Sequence, residues 1–192
     1  MTILLLGLVF FLGVHSARIV GEGPRQAFIA KHGANAWKGV YTPVSLAGFA
    51  LIVWGYGLAR HEPVVLWTVP VGMRHLAALL TLPAFVMITA AYVPGNGIKA
   101  KLRHPMMIGV KTWALAHLVA NNTLADVLLF GGFLAWSVAA FIAARKRDRA
   151  QGTTYPPGRV DRTIVTVAVG TAAWAAFAFW LHAWLIGVRP IG

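Results

Sequence analysis

The sequence predicts an all-α protein, a polytopic transmembrane bundle of about six helices. Of its 192 residues, 58% are hydrophobic and only 11% are charged, whereas a soluble domain carries about 25% charged residues. The hydrophobic residues form runs of about 16–25 residues, the length that an α-helix needs to cross a bilayer. This composition excludes intrinsic disorder. The absence of cysteine excludes a disulfide scaffold, a thiolate metal site and a cysteine nucleophile.

Six apolar runs are predicted to be the spans: residues 3–20, 41–58, 71–92, 105–120, 124–144 and 164–188. No basic segment precedes the first run, so we interpret it as a retained helix and not as a signal peptide. Pro43 suits the first turn of the second helix, and Pro83 is predicted to kink the third. The fourth run is short and contains Lys111. With six spans of this length, the chain forms a single transmembrane domain, residues 1–192.

The distribution of basic residues gives the predicted orientation. The chain has 17 Lys and Arg residues against 5 Asp and Glu, a net charge of +12. With six spans, 13 of the basic residues fall on one side of the membrane and 3 on the other, and Lys111 lies within a span. Omitting the fourth span destroys this asymmetry. Because basic loops stay inside, both termini are predicted to be periplasmic. The net positive charge is therefore explained by membrane topology. The expected partner is the lipid bilayer, not nucleic acid.

Few ionisable residues lie within or beside the predicted spans: His15, Arg74, His75, His104, Lys111, His117, Asp126 and His182. Each is a functional hypothesis, because polar groups are costly in a membrane. Basic side chains near helix ends extend to the headgroups, which is our interpretation of Arg18, Arg74 and Lys111. Asp126 is predicted to cap the fifth helix or to pair with an arginine.

Histidine is a common haem and metal ligand, and its neutral imidazole is tolerated in a membrane. A hydrogen bond between helices is the alternative role. At 1.5 Å per residue, His15 and His117 differ in depth by roughly 9 Å, an offset that a tilted haem held from two helices could span. By depth alone, His75, His117 and His182 form the better cluster.

Two further features concern the fourth run. Trp113 and His117 are an i, i+4 pair on one face, so the indole could form the wall of a site for a flat ligand. His104 precedes Pro105, a pattern typical of a helix start, with the histidine as cap and the proline at the first helical position.

Three segments resemble the NnrU family of bacterial inner-membrane proteins: residues 10–18 (FFLGVHSAR), residues 102–109 (LRHPMMIG) and residues 113–118 (WALAHL), which Asn121 follows. The resemblance covers most of the chain. It implies a role in the nitrite and nitric oxide metabolism of denitrifying bacteria, without defining an enzymatic activity.

That family is similar to plant and cyanobacterial 15-cis-zeta-carotene isomerase, a membrane protein that contains haem b. The resemblance implies that His15 and His117 are axial ligands of a haem iron, with Trp113 packed nearby and Arg18, Arg103 or Lys111 available for the propionates. A small hydrophobic or gaseous molecule is the expected ligand. The isomerase has an alternative cysteine ligand where this chain has Ala114, so a switch from histidine to cysteine ligation is impossible here.

Two alternatives stay open. Arg103-His104-Pro105 also resembles the signature of membrane methyltransferases of the isoprenylcysteine carboxyl methyltransferase type, which implies that Arg103 and His104 bind S-adenosylmethionine. Those enzymes carry an acidic residue downstream, and the loop offers Asp148 and Asp161. The second alternative is a non-enzymatic accessory subunit whose histidines form hydrogen bonds between helices.

Overall fold

The computed structural model describes residues 1–191 and consists of helices joined by turns and loops, with no β-strand in that range. The predicted all-α fold class is therefore confirmed. In chain order the helices are α1 (Thr2–His15), α2 (Ala17–Val20), α3 (Glu22–His32), α4 (Ala34–Ala59), α5 (Met73–Tyr92), α6 (Gly97–Leu102), α7 (Pro105–Ala120), α8 (Leu124–Gln151), α9 (Val160–Ala176) and α10 (His182–Ile186). A π-helical turn, Phe177–Leu181, joins α9 to α10.

Four helical segments are long and apolar enough to cross a membrane, so the protein is a membrane protein: Ala34–Ala59, Met73–Tyr92, Leu124–Gln151 and Val160–Ile186. The helix count differs from the prediction, because the first and fourth predicted spans are shorter. Helix α1 has 14 residues and α7 has 16. At 1.5 Å per residue, each is shorter than a hydrocarbon core of about 30 Å.

Several predicted boundaries were wrong. The run 3–20 is not one helix: α1 ends at His15, where the Ser16 hydroxyl donates to the Leu12 carbonyl and competes with the backbone ladder. The predicted loop after it is helical, and Pro43 lies inside α4 instead of in its first turn. Hydropathy could not reveal these helices, because they continue through polar and small residues.

Glycines set the distance between α1 and α4. A Cβ atom on Gly55 would lie 2.3 Å from the Leu4 backbone nitrogen, and one on Gly7 would lie 2.5 Å from that of Ile52. A Cβ on Gly48 would meet the backbone of Phe11 in the same way, at 2.6 Å. Small residues at crossing points let membrane helices approach closely. This packing fixes α1, and with it Phe11 and His15.

Hydrogen bonds outside the helix backbones join the connecting segments at the two ends of the bundle. At one end, the amide of Leu66 donates to Asn122 and the amide of Leu124 donates to Val64, both at 2.9 Å. At the other end, Asn96 is buried, and its side-chain amide donates to the Ala90 carbonyl at 2.9 Å. The loop after α8 packs against this asparagine's turn, and it carries Tyr155 into the cluster described below.

Candidate functional site: intramembrane histidines and a polar cluster

His15 lies at the end of α1 with one ring nitrogen fixed. Its Nδ1 is 2.6 Å from the Phe11 carbonyl oxygen. Because a carbonyl only accepts, Nδ1 carries the hydrogen in the neutral ring and Nε2 keeps its lone pair. The ring stacks on Phe11, with centroids 4.2 Å apart, and also contacts Tyr41 and Trp136. This is the orientation of a metal-binding histidine, whose other nitrogen donates to a carbonyl or carboxylate.

His117 in α7 repeats the same arrangement. Its Nδ1 lies 2.8 Å from the Trp113 carbonyl oxygen, so Nε2 is again the free nitrogen. The ring stacks on Phe130 at 4.5 Å, and the Trp113 indole lies 4.9 Å away. The predicted i, i+4 pair of Trp113 and His117 therefore shares one face.

The two histidines contact α8 at different heights. His117 packs on Phe130 and His15 on Trp136, six residues further along the helix, which is a rise of about 9 Å. The ring of Phe133 lies between these levels, 5.7 Å from Phe11 and 5.6 Å from Trp113. The structure therefore holds the two histidines in separate aromatic surroundings.

His15 lines a cavity of about 270 Å³ at the end of α1. Three cations share this basic cavity, namely Arg18, Arg25 and Lys38, and its aromatic walls are Trp37 and Tyr41. The Arg25 guanidinium lies over the Trp37 ring, 5.6 Å from its centroid. A site with one imidazole, aromatic walls and several cations can accept a flat, anionic ligand.

Glu22 holds two of these cations in place. Its carboxylate oxygens lie 3.3 Å from Arg18 and 3.4 Å from Arg25. Burial alone would raise the pKa of the Glu22 carboxyl, but the hydrogen bond from Gln26 and the two guanidinium groups hold that pKa below its ordinary value. Glu22 thus stays ionised and links α2 to α3.

A second polar group lies where α7 begins. His104 Nε2 is 2.9 Å from the Asp148 carboxylate in α8, and Tyr155 donates a hydrogen bond of 3.1 Å to the same oxygen. Asp148 is 8% exposed. We call His104, Asp148 and Tyr155 the His104 cluster. Burial and the hydrogen bond to Asp148 raise the pKa of the Tyr155 phenol.

Arg103, the residue before His104, has a strained backbone. Its φ is 65° and its ψ is −51°, and the His104 amide donates to the Leu102 carbonyl at 2.7 Å. These values define a γ-turn of the rare type with positive φ. Among residues 1–191, Arg103 alone of the non-glycine residues has a positive φ. Its guanidinium lies 5.7 Å from the centroid of the Tyr155 ring.

Asp126 is a structural residue. Its carboxylate accepts from the backbone and hydroxyl of Thr123, and the two residues form a capping box at the start of α8. Tyr56 of α4 donates to the other carboxylate oxygen at 2.5 Å. The predicted helix cap is therefore confirmed.

The depth-based cluster of His75, His117 and His182 is wrong. Within residues 1–191, no group of three or more His, Asp or Glu side chains is arranged to hold a metal ion. His75 is exposed, and His182 Nδ1 lies 2.7 Å from the Val188 carbonyl. Depth along the membrane says nothing about the direction in which a helix face points, and this is why the prediction failed.

The sequence did not reveal the contacts of three residues near these sites. The contact of Asp148 with His104 was not predicted, because the fifth helix was predicted to end at residue 144 and α8 extends to Gln151. Tyr155 follows α8 in a loop and was given no role. Trp136 contacts His15, and its buried Nε1 has no hydrogen-bond partner within the described chain. The basic run around Asp148 is a strong helix-forming segment, which was the available signal.

Comparison with known proteins gives one result. Neither the curated proteins nor the solved structures include a match to the chain. The model of the family described as NnrU protein matches residues 3–190. Because this match covers nearly the whole chain, the protein belongs to the NnrU family.

Proposed function

We propose that this protein binds haem b, with His15 as a ligand of the iron, and that it serves redox or gas-sensing chemistry in nitrite and nitric oxide metabolism. One observation carries the proposal: a histidine with a fixed Nδ1 and a free Nε2 lines a cavity that contains three cations. The family resemblance supplies the metabolic context.

The surroundings of His15 support ligation. The Phe11 carbonyl fixes the tautomer and the ring orientation, and such second partners also raise the basicity of a ligating histidine. Phe11, Tyr41 and Trp136 surround the ring on several sides. These aromatic groups would exclude water from an iron and restrict the position of the macrocycle.

The cations of the basic cavity suit the two propionates. Arg18 and Arg25 are held by Glu22, while Lys38 lies on the neighbouring helix α4. Arginine forms two parallel hydrogen bonds with a carboxylate, and so it fixes orientation as well as charge. Arg103 and Lys111, also considered for this role, lie in other surroundings, over Tyr155 and Phe141 respectively.

When bound, haem would supply the redox and gas-binding chemistry, and the protein would set the ligand field and the polarity of the pocket. His15 would hold the iron, and the cations of the basic cavity would hold the propionates. The packing of His117 between Trp113 and Phe130 favours a separate role in the bundle.

An absorption spectrum of protein purified from haem-replete cells tests the proposal. We expect a Soret band that is lost in His15→Ala and retained in His117→Ala. His75→Ala is the matched control, since His75 is exposed. A Soret band that persists unchanged in His15→Ala contradicts the proposal. The absence of any band in the wild-type protein favours the non-enzymatic accessory role.

We further propose that the protein lies in the bacterial inner membrane with both termini periplasmic. The excess of basic residues on one side of the predicted spans supports this orientation. Fusions of a periplasm-active phosphatase and of a cytoplasm-fluorescent protein to the C-terminus test it. We expect phosphatase activity and no fluorescence; the reverse pattern contradicts the orientation.

A further inference from the structure

The His104 cluster lies at the opposite end of α7 from His117 and takes no part in the proposed haem site. His104 is the cap residue before α7, Asp148 lies in the last turn of α8, and Tyr155 follows in the loop. His104 and Asp148 are 44 residues apart in the chain. Their side chains are largely buried, with exposures of 18% and 10%.

The hydrogen bonds fix the state of the imidazole. A carboxylate accepts, so His104 Nε2 carries the hydrogen and, in the neutral ring, Nδ1 keeps a lone pair. No hydrogen bond joins Nδ1 to another residue of the described chain. Tyr155 donates to the same carboxylate oxygen and holds it in place. The carboxylate and the phenol together leave Nδ1 as the acceptor nitrogen of the imidazole.

Two cations lie near this imidazole, each over an aromatic ring that contacts it. The Arg103 guanidinium lies over the Tyr155 ring, which is perpendicular to the imidazole at 6.2 Å. The Lys111 ammonium lies 4.8 Å from the centroid of the Phe141 ring, and Phe141 also contacts His104 edge-on at 6.2 Å. Neither cation has a carboxylate within salt-bridge distance in residues 1–191. The charge balance beside the imidazole therefore favours an anion.

Apolar surface adjoins the same cluster. Leu102 is 36% exposed beside Arg103, and Ile142 is 59% exposed beside Phe141. The cluster lies where membrane helices end, so an acyl chain can lie along α8 while its headgroup reaches the cations. A soluble anion would make no use of this apolar surface.

We propose that His104, oriented by Asp148, is a hydrogen-bond acceptor in a binding site for the headgroup of an anionic lipid. Nδ1 accepts a hydrogen bond from a headgroup hydroxyl, and the cations of Arg103 and Lys111 lie close enough to attract the headgroup charge. Asp148 and Tyr155 are positioning residues. The strained γ-turn at Arg103 places the guanidinium and the imidazole on the same cluster.

Carbethoxylation by diethyl pyrocarbonate tests the proposal, because this reagent acylates an unprotonated imidazole nitrogen. The full-length protein is placed in nanodiscs of phosphatidylcholine, and the rate at each histidine is measured by peptide mass spectrometry. We expect Asp148→Asn to lower the rate at His104 at least tenfold, because an asparagine amide can donate to Nε2 and leave the hydrogen on Nδ1, the wrong tautomer. Asp161→Asn is the matched control, since Asp161 is exposed and pairs with Arg159.

The lipid is tested by replacing about a third of the phosphatidylcholine with phosphatidylglycerol. We expect the rate at His104 to fall at least threefold, the rate at the exposed His75 to stay unchanged, and the protection to be lost in Arg103→Gln. Folding of each variant is checked by circular dichroism, and Asp148→Glu is used if Asp148→Asn fails to fold, with partial retention of the rate expected.

Any one of three results would overturn the proposal. The first is an equal carbethoxylation rate at His104 in the wild type and in Asp148→Asn, and the second is no protection of His104 by phosphatidylglycerol. The third is protection of His104 by added S-adenosylmethionine and not by the lipid. The last result would assign the cluster to a soluble cofactor. Because His15 is not involved, loss of the haem proposal would leave these outcomes unchanged.

Discussion

The hydroxyl of Tyr56 in α4 donates a hydrogen bond of 2.5 Å to the carboxylate of Asp126 in the first turn of α8. Asp126 is only 4% exposed, so its carboxylate depends on protein donors. Thr123 provides two of them. The Tyr56 hydroxyl is the donor that comes from another long helix, and it joins α4 to α8.

Removing this hydroxyl should destabilise the bundle. We expect Tyr56→Phe to lower the free energy of unfolding by about 1.5–3 kcal/mol, the range for a hydrogen bond to a charged group. Unfolding by denaturing detergent in mixed micelles gives the value. Tyr41→Phe is the control in the same helix, because the Tyr41 hydroxyl forms no hydrogen bond within the described chain. Equal effects of the two substitutions would contradict this role of Tyr56.

Two glycines of α4 should respond in opposite directions to the same change. We expect Gly55→Ala to destabilise the protein, because its Cβ would lie 2.3 Å from the Leu4 backbone nitrogen and force α1 away. Gly57→Ala should be neutral or stabilising by up to about 1 kcal/mol, because alanine favours a helix and nothing lies within 4 Å of its Cβ. Thermal unfolding of the two variants measures these effects. A Gly55→Ala variant as stable as the wild type would contradict the close packing of α1 against α4.

The sequence predicted the fold class and the polar residues of the interior, but not which of them meet. Hydropathy detected the apolar runs, and the i, i+4 spacing placed Trp113 and His117 on one face. Asp126 was predicted as a cap from its position alone. The contact of His104 with Asp148 depends on α8 extending to Gln151 and on the γ-turn at Arg103. Neither feature has a signal in hydropathy, because both lie in basic segments.

Trp136 and Trp174 differ in the partner of the indole nitrogen. Trp174 Nε1 donates to the Thr81 hydroxyl at 3.1 Å, whereas the buried Trp136 Nε1 has no partner in the described residues. Replacing either tryptophan by phenylalanine removes similar apolar area, but only Trp174→Phe breaks a hydrogen bond. We expect Trp136→Phe to cost about 1 kcal/mol less than Trp174→Phe. Detergent unfolding of both variants measures the difference, and a larger cost at Trp136 would show a partner there.

The Tyr155 phenol should lose its proton at a higher pH than an ordinary tyrosine does. Burial and the hydrogen bond to Asp148 raise its pKa above the ordinary value of about 10. The neutral phenol therefore stabilises the folded state below about pH 10, and this contribution is lost as the pH rises through the folded-state pKa. The phenolate absorbance of the wild type minus that of Tyr155→Phe isolates this group. We expect a midpoint above about 10 that falls in Asp148→Asn; an ordinary midpoint in the wild type would contradict the contact.

Arg103 gives the last prediction, because its side chain and its backbone act on stability in separate ways. Both Arg103→Ala and Arg103→Gly remove the guanidinium from Tyr155, but only glycine relieves the positive φ of 65°. Strain of this kind costs about 1–3 kcal/mol, while glycine loses about 0.5–1 kcal/mol more conformational free energy on folding than alanine. We therefore expect the glycine variant to be more stable than the alanine variant by about 1 kcal/mol.

The matched pair for this comparison is Lys146→Ala and Lys146→Gly. Lys146 is exposed within α8, where alanine should be the more stable variant by about 1 kcal/mol. The sign of the difference between glycine and alanine should therefore reverse between the two positions when both pairs are unfolded in the same detergent. If alanine were the more stable variant at position 103 as well, this would contradict both the backbone strain at Arg103 and the γ-turn that places His104 next to Asp148.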